Sequence, residues 1–218
     1  KDILTNWSDT EKRPFLSLML ANNETGVMQP VAAAVELIRE HDGLIHCDAV
    51  QALGKTPVSV INLGVDFLAM SAHKLGGPKG VGAVYIKPGS QIEPLYAGGG
   101  QETRRRSGTE NVTGIAGFAA ALTEALDNAE ESERVSSVRQ LFETRLMQLA
   151  PDAEIFGIGV ERLPNTSNIA LKGFRAETQV MALDLEGVAI SSGAECSSGK
   201  VKQSHVLTAM GVDAETAA

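Results

Sequence analysis

From Phe15 to Ala21 the chain is apolar at every position but Ser17, the pattern of a strand buried in a parallel sheet. The run stops at Asn22-Asn23-Glu24-Thr25-Gly26, whose residues favour a tight loop. Pro30 then opens a predicted helix over about 31–41, with Val31, Val35 and Ile38 on one face. Leu44–Cys47, Phe67–Met70 and Gly80–Ile86 are three further predicted strands, the last following the breaker Gly76-Gly77-Pro78. Short strands alternating with crossovers predict an α/β fold with a doubly wound, mostly parallel sheet. Ligands of such sheets sit outside the carboxyl ends of the strands. Residues 97–109 form a Gly- and Arg-rich loop, and helical patterning then runs from about Asn111 to Leu149 with a polar break at 128–133. Thr166–Leu171 and Val188–Ser191 read as strands, with a helix over Glu177–Leu185 between them. The expected organisation is a large domain over 1–111 and a smaller α+β domain over 112–218. No internal repeat or low-complexity segment interrupts it.

Composition narrows the function. With 19 Lys plus Arg against 27 Asp plus Glu, the net charge is −8, which disfavours non-specific nucleic-acid binding. Arg104-Arg105-Arg106 is too short to overturn that. No apolar run reaches the roughly 18–20 residues of a membrane span, and no leader pattern opens the sequence. Cys47 and Cys196 lie in different contexts, so no disulfide is expected and a reducing compartment fits. The chain reads as soluble and cytoplasmic, with neither nucleic acid nor membrane as partner. It begins at Lys1 and closes on what looks like the approach to another element, so a piece of a longer chain is expected.

The chemistry concentrates at predicted strand ends. Asp48 ends one apolar run, and Lys74 follows another 26 residues later. In a parallel sheet both finish at one edge, where Asn23 also falls, so the three are expected to share a pocket. Lysine forms a Schiff base with an aldehyde, and a facing carboxylate keeps a pyridinium nitrogen protonated. These are the two fixed needs of a pyridoxal phosphate (PLP) site. A lysine after an apolar run is more often a snorkelling surface residue. Its neighbours change the balance: Ser71 and His73 are donors placed for a phosphate, and Gly76-Gly77 allow close backbone approach. Asp48 has a plainer alternative as a cap of the crossover helix. Gln51 points into the same pocket if a helical turn begins there. Strand alternation puts Cys47 opposite His46 and Asp48, which makes Cys47 core and leaves His46 undecided. His46, Asp48, His73 and Cys196 are all metal-ligand types, but no close Cys/His pair has zinc spacing. Cys196 sits in a Ser/Gly loop with Lys200, Lys202 and a predicted helix start at Gln203 nearby, surroundings that favour a thiolate. Thr109 is read either as the N-cap of the following helix or as a phosphate contact.

Together, Asn22-Asn23-Glu24-Thr25-Gly26, His46-Cys47-Asp48-Ala49-Val50-Gln51, Ser71-Ala72-His73-Lys74, Arg106-Ser107-Gly108-Thr109 and Ser191-Ser192-Gly193-Ala194-Glu195-Cys196 resemble the class V, fold type I PLP enzymes, specifically the group I cysteine desulfurases. The resemblance spans nearly the whole chain and keeps the family's motif order. It implies that Lys74 binds the cofactor and moves the substrate α-proton, and that Asp48 pairs with the pyridine nitrogen. Asn23 and Gln51 would approach the ring's 3′-oxygen, and Ser71 and His73 would hold the phosphate. Thr109 would reach the cofactor of a second copy in a homodimer. Cys196 would take sulfur from L-cysteine as a persulfide, release alanine, and pass sulfur to an acceptor for iron–sulfur cluster or thio-cofactor assembly. The family also has a phosphate loop and a ring-stacking histidine before residue 1, and a carboxylate-binding arginine beyond residue 218. Both domains are thus expected to be incomplete, and the isolated fragment weak or inactive. The rival expectations are a selenocysteine lyase or another class V aminotransferase, and a non-catalytic folded fragment that dimerises.

Overall fold

The computed structural model describes residues 4, 13–193, 203–214 and 216. They form two compact units. The first takes in the chain up to Leu20 and Gln29–Ala129, and the second Ala21–Met28 and the chain from Glu130 onward.

In the first unit, β1 (Phe15–Met19), α1 (Val31–Arg39) and β2 (Leu44–Asp48) make a crossover, and β1 pairs parallel with β2. After a short α2 (Val60–Leu63), β3 (Phe67–Ser71) pairs parallel with β2, Asp48 opposite Ala69. A 3-10 turn over Ala72–Leu75 leads to β4 (Gly82–Ile86), which pairs antiparallel with β3. The connection Ala72–Val81 explains the reversal, because a parallel crossover needs about a dozen residues or more. The order β1-β2-β3-β4 places β2 and β3 inside the sheet. Their inward side chains Ile45, Cys47 and Leu68 are accordingly buried. Val31, Val35 and Ile38 are the buried residues of α1. Each contributes about 1.5–3 kcal/mol by leaving water. α3 (Val112–Asp127) follows the long loop and buries Phe118 against Leu53 and Ala72.

A buried acid locks the crossover. Asp66, just before β3, accepts from the Arg39 guanidinium at 2.8 Å and from the Ile45 amide at 2.9 Å. Lys87 stands 3.8 Å away. Burial pushes the Asp66 carboxyl up, but these hydrogen bonds and the charges of Arg39 and Lys87 outweigh it, so it titrates below the ordinary aspartate range. Nothing in the local sequence pattern marked Asp66.

In the second unit, α4 (Ala129–Leu149) precedes the antiparallel hairpin pair β5 (Ala153–Phe156) and β6 (Asn168–Leu171), then α5 (Ala176–Leu185) and α6 (His205–Ala209). Ala21–Met28 joins this unit through a bridge between Val27 and Arg162 and a Leu163 amide that donates to the Gly26 carbonyl at 2.8 Å. Val188–Ser191, expected as a strand, is irregular. Apolar residues become a strand only where a neighbour offers its ladder, and among the described residues β6 pairs with β5 alone. No described helix is long and apolar enough to cross a membrane.

Candidate functional site

The first unit gathers most of the predicted site residues at the carboxyl edge of β2 and β3. Asp48 is the last residue of β2, half-buried, and its Oδ1 accepts from the Val50 amide at 2.9 Å. That bond starts a helical turn over residues 49–56, with Leu53 N–H donating to Ala49 and Thr56 N–H to Ala52. Asp48 therefore does serve as a local cap, and among the described residues no hydrogen bond is made to its Oδ2. Its strand alternates as sequence periodicity requires. Ile45 and Cys47 are fully buried, whereas His46 and Asp48 are half-buried. His46 is tied to β1 by a 2.9 Å contact between its Nδ1 and Ser17 Oγ. Burial, and then the charge of Asp48, push the Cys47 thiol up to about 11. At neutral pH it is a core thiol and not a nucleophile.

The parallel pairing of β2 and β3 decides where Lys74 goes. The Ala49 amide donates to the Ala69 carbonyl at 3.0 Å, so the two strands end side by side. Lys74 sits in the 3-10 turn that leaves β3, with an exposed side chain. Ser71, at the start of that turn, meets His73 through a 2.7 Å contact between Oγ and Nδ1. Gly76 ends the turn at φ 88°, a conformation that favours glycine, and open space surrounds the place where a Cβ would stand. Gln51 lies on the turn after Asp48 and is half-buried.

This set fits a PLP group by its chemistry. It offers an accessible amine, a carboxylate with a spare oxygen at the same sheet edge, a hydroxyl–imidazole pair suited to phosphate, and an uncrowded glycine backbone. Among the described residues, no three His, Cys, Asp or Glu side chains cluster as metal ligands.

Three further predicted site residues are Thr109, Asn23 and Cys196. Thr109 is exposed and does not cap α3. Asn111 does, its Oδ1 accepting from the Gly114 amide at 3.0 Å. Both residue types cap helices, and the chain's path into the helix chooses between them. Asn23 belongs to the second unit. There Asn22 Oδ1 accepts from the amides of Glu24 and Thr25, both at 2.9 Å, and shapes the loop. Asn23 is left exposed, on the wall of a cavity of about 370 Å³ shared with Glu24, Thr166, Asn168, Ser192 and Ser204. Cys196 lies outside the described residues. Lys55, which no sequence pattern singled out, also stands at the first unit's site: it is on the turn of Gln51, and the turn packs against the one that carries Lys74.

Comparison with known proteins gives the family and the fold. The profile of the family described as aminotransferase class-V matches residues 5–212. The chain is 44% identical over 203 residues to the cysteine desulfurase IscS of Dictyoglomus turgidum, covering 93% of this chain and 52% of the relative. Among solved structures, a NifS-like protein from Rickettsia africae superposes with a TM-score of 0.88 at 35% identity, over 99% of this chain and 57% of that one. SspA in complex with cysteine superposes at 0.71 with 27% identity, over 99% of this chain and 59% of that one. The fold is thus that of NifS-like proteins, an α/β structure with a mixed, largely parallel sheet. The chain spans about half the length of the curated relatives it matches.

Proposed function

The chain belongs to the class-V aminotransferase family, and from that premise we propose that it carries the lysine-bearing part of a PLP-dependent cysteine desulfurase. The observation that carries the reading is the parallel register of β2 and β3, which sets Asp48 and Lys74 at one sheet edge. The relatives named cysteine desulfurase, at 40–44% identity, support the choice within the family. L-cysteine as substrate is supported by the same names and by the cysteine complex of SspA.

In this reading PLP, when bound, supplies an electron sink for the substrate α-carbon. Lys74 binds the cofactor through its Nζ and moves the α-proton. Asp48 would use its Oδ2 to hold a proton on the ring nitrogen. Ser71 and His73 hold the phosphate, and Gln51 and Asn23 approach the ring oxygen. Cys196 would attack the substrate sulfur as a thiolate; the carbon–sulfur bond breaks with its electron pair staying on the substrate carbon, which takes up a proton, so that alanine leaves and a persulfide remains on Cys196. An acceptor protein then takes the sulfur, and Thr109 serves the cofactor of a second copy.

The test is direct. The purified chain is incubated with PLP, reduced with borohydride and peptide-mapped. The expected result is an adduct on Lys74 that Lys74→Ala removes; alanine formation from L-cysteine is expected to be weak in this half-length chain, and Cys196→Ser removes whatever is formed. An adduct distributed over surface lysines and unchanged in Lys74→Ala would overturn the reading.

A further inference from the structure

Lys55 stands one helical turn beyond Gln51. Its Nζ donates to the Gln51 carbonyl at 2.9 Å and lies 3.5 Å from Gln51 Oε1. A cation on the oxygen side of the carboxamide leaves Nε2, the donor, as the end free to face a ligand. The same turn is pressed against the one that bears Lys74. Gly54 adopts φ 77°, and a Cβ there would stand 3.0 Å from Leu75 Cβ and 3.2 Å from Ala125 Cβ. Leu53 and Ala72 share one core cluster just beneath. Lys55 and Lys74 thus flank a tight contact, Gly54 on Leu75, that only a glycine permits. Charged or titratable groups on the surrounding elements are His46, Cys47 and Asp48 on β2, His73 and Lys74 on the 3-10 turn, and Glu124 and Asp127 on α3. Burial lowers the Lys55 pKa, and the Lys74 charge lowers it further.

We propose that Lys55 is a positioning residue of the candidate PLP site: it fixes the Gln51 carboxamide so that its NH₂ is presented to the ligand, and it sets a second cation beside Lys74. The proposal rests on the reading of Lys74 and Gln51 as cofactor contacts. A hydroxylate or phenolate oxygen on the ligand is the group such a donor, backed by a cation, would recognise.

Two measurements test it. The first uses the cofactor-free chain. Trace acetic anhydride labels lysines across a pH series, and mass spectrometry of Lys55 peptides gives its labelling midpoint. Lys55 is expected to label with a midpoint below that of an ordinary lysine, about 10.4, and Lys74→Met is expected to raise it. A midpoint that Lys74→Met leaves in place overturns the proximity on which the proposal stands. The second is PLP titration followed by absorbance. Lys55→Met should weaken PLP binding about tenfold, the worth of a hydrogen bond to a charged group, and Lys55→Arg should restore most of it. In a Gln51→Leu background the Lys55→Met loss should shrink, because the effect passes through Gln51. PLP binding unaltered by Lys55→Met, or equal losses with and without Gln51, overturns the Lys55 role alone. A wild-type chain that takes up no PLP at Lys74 instead sinks the cofactor reading, and the Lys55 role with it.

Discussion

Asp66 has both carboxylate oxygens in use, one on Arg39 and one on the Ile45 amide, in a side chain only 4% exposed. It joins the end of α1 to the start of β2 and so fixes the height of the strand that ends in Asp48. Asp66→Asn removes the ion pair and leaves Arg39 facing a neutral amide. Because Arg39 is 31% exposed, the expected loss is smaller than for a fully buried pair, about 2–3 kcal/mol by urea denaturation at neutral pH. The pH dependence has a definite sign. The folded carboxyl is held below its unfolded value. Its contribution is therefore complete above the ordinary aspartate value of about 3.9 and is lost as pH falls through the lower folded value. The gap between wild type and Asp66→Asn should narrow in acid; a constant gap would show that the ion pair does not carry the difference. Asp66 was illegible in the sequence because an acid before an apolar run has no local feature that distinguishes a buried partner from a solvated one.

At the scale of elements, periodicity did most of the placing. Val31, Val35 and Ile38 repeat at helical spacing and are the buried face of α1. Ile45 and Cys47 alternate with His46 and Asp48 along β2. Helix ends were less legible, because Thr109 and Asn111 are both good caps two residues apart. The structure separates them by a measurable outcome. Asn111→Ala should lower stability by about 1 kcal/mol through the lost Gly114 bond, whereas Thr109→Ala should leave thermal unfolding unchanged. Equal effects of the two substitutions would return Thr109 to the cap. β5 escaped notice for a related reason: Ala153–Phe156 is too short to show a period, and its pairing with β6 defines it.

At the scale of the molecule, the chain visits its second unit twice. Ala21–Met28 leaves the first unit between β1 and α1 and is held in the second by Arg162, through the bridge to Val27. Arg162 is itself anchored. Its two guanidinium nitrogens each lie 2.9 Å from one oxygen of Glu143 on α4, and Ser167 adds a 2.8 Å bond. Arg162 and Glu143 side chains are 5% and 10% exposed, so neither charge has water as an alternative. Arg162→Met should cost about 3–5 kcal/mol, because it strands the Glu143 charge in a poorly solvated place. Its measure is the urea midpoint of the full chain. A shift within experimental error would mean that Arg139, which stands 4.0 Å from the same carboxylate, suffices.

The sequence by itself determined the α/β class, the positions of β1 to β4 and of β6, and the side-chain types that stand at their ends. Those features are written in local periodicity and in side-chain type, which survive without coordinates. Asp48 and Lys74 were legible for that reason: each follows an apolar run, and parallel pairing was the economical reading of the alternation. Only the tertiary structure decided which partners the polar groups took. It turned β4 antiparallel because its connection is short, gave Asp66 to Arg39 and Ile45, chose Asn111 over Thr109, left Val188–Ser191 without a ladder, and brought Lys55 beside Lys74 through the contact of Gly54 with Leu75. Such contacts join residues far apart in the chain, and their energies depend on burial and geometry that no window of sequence contains.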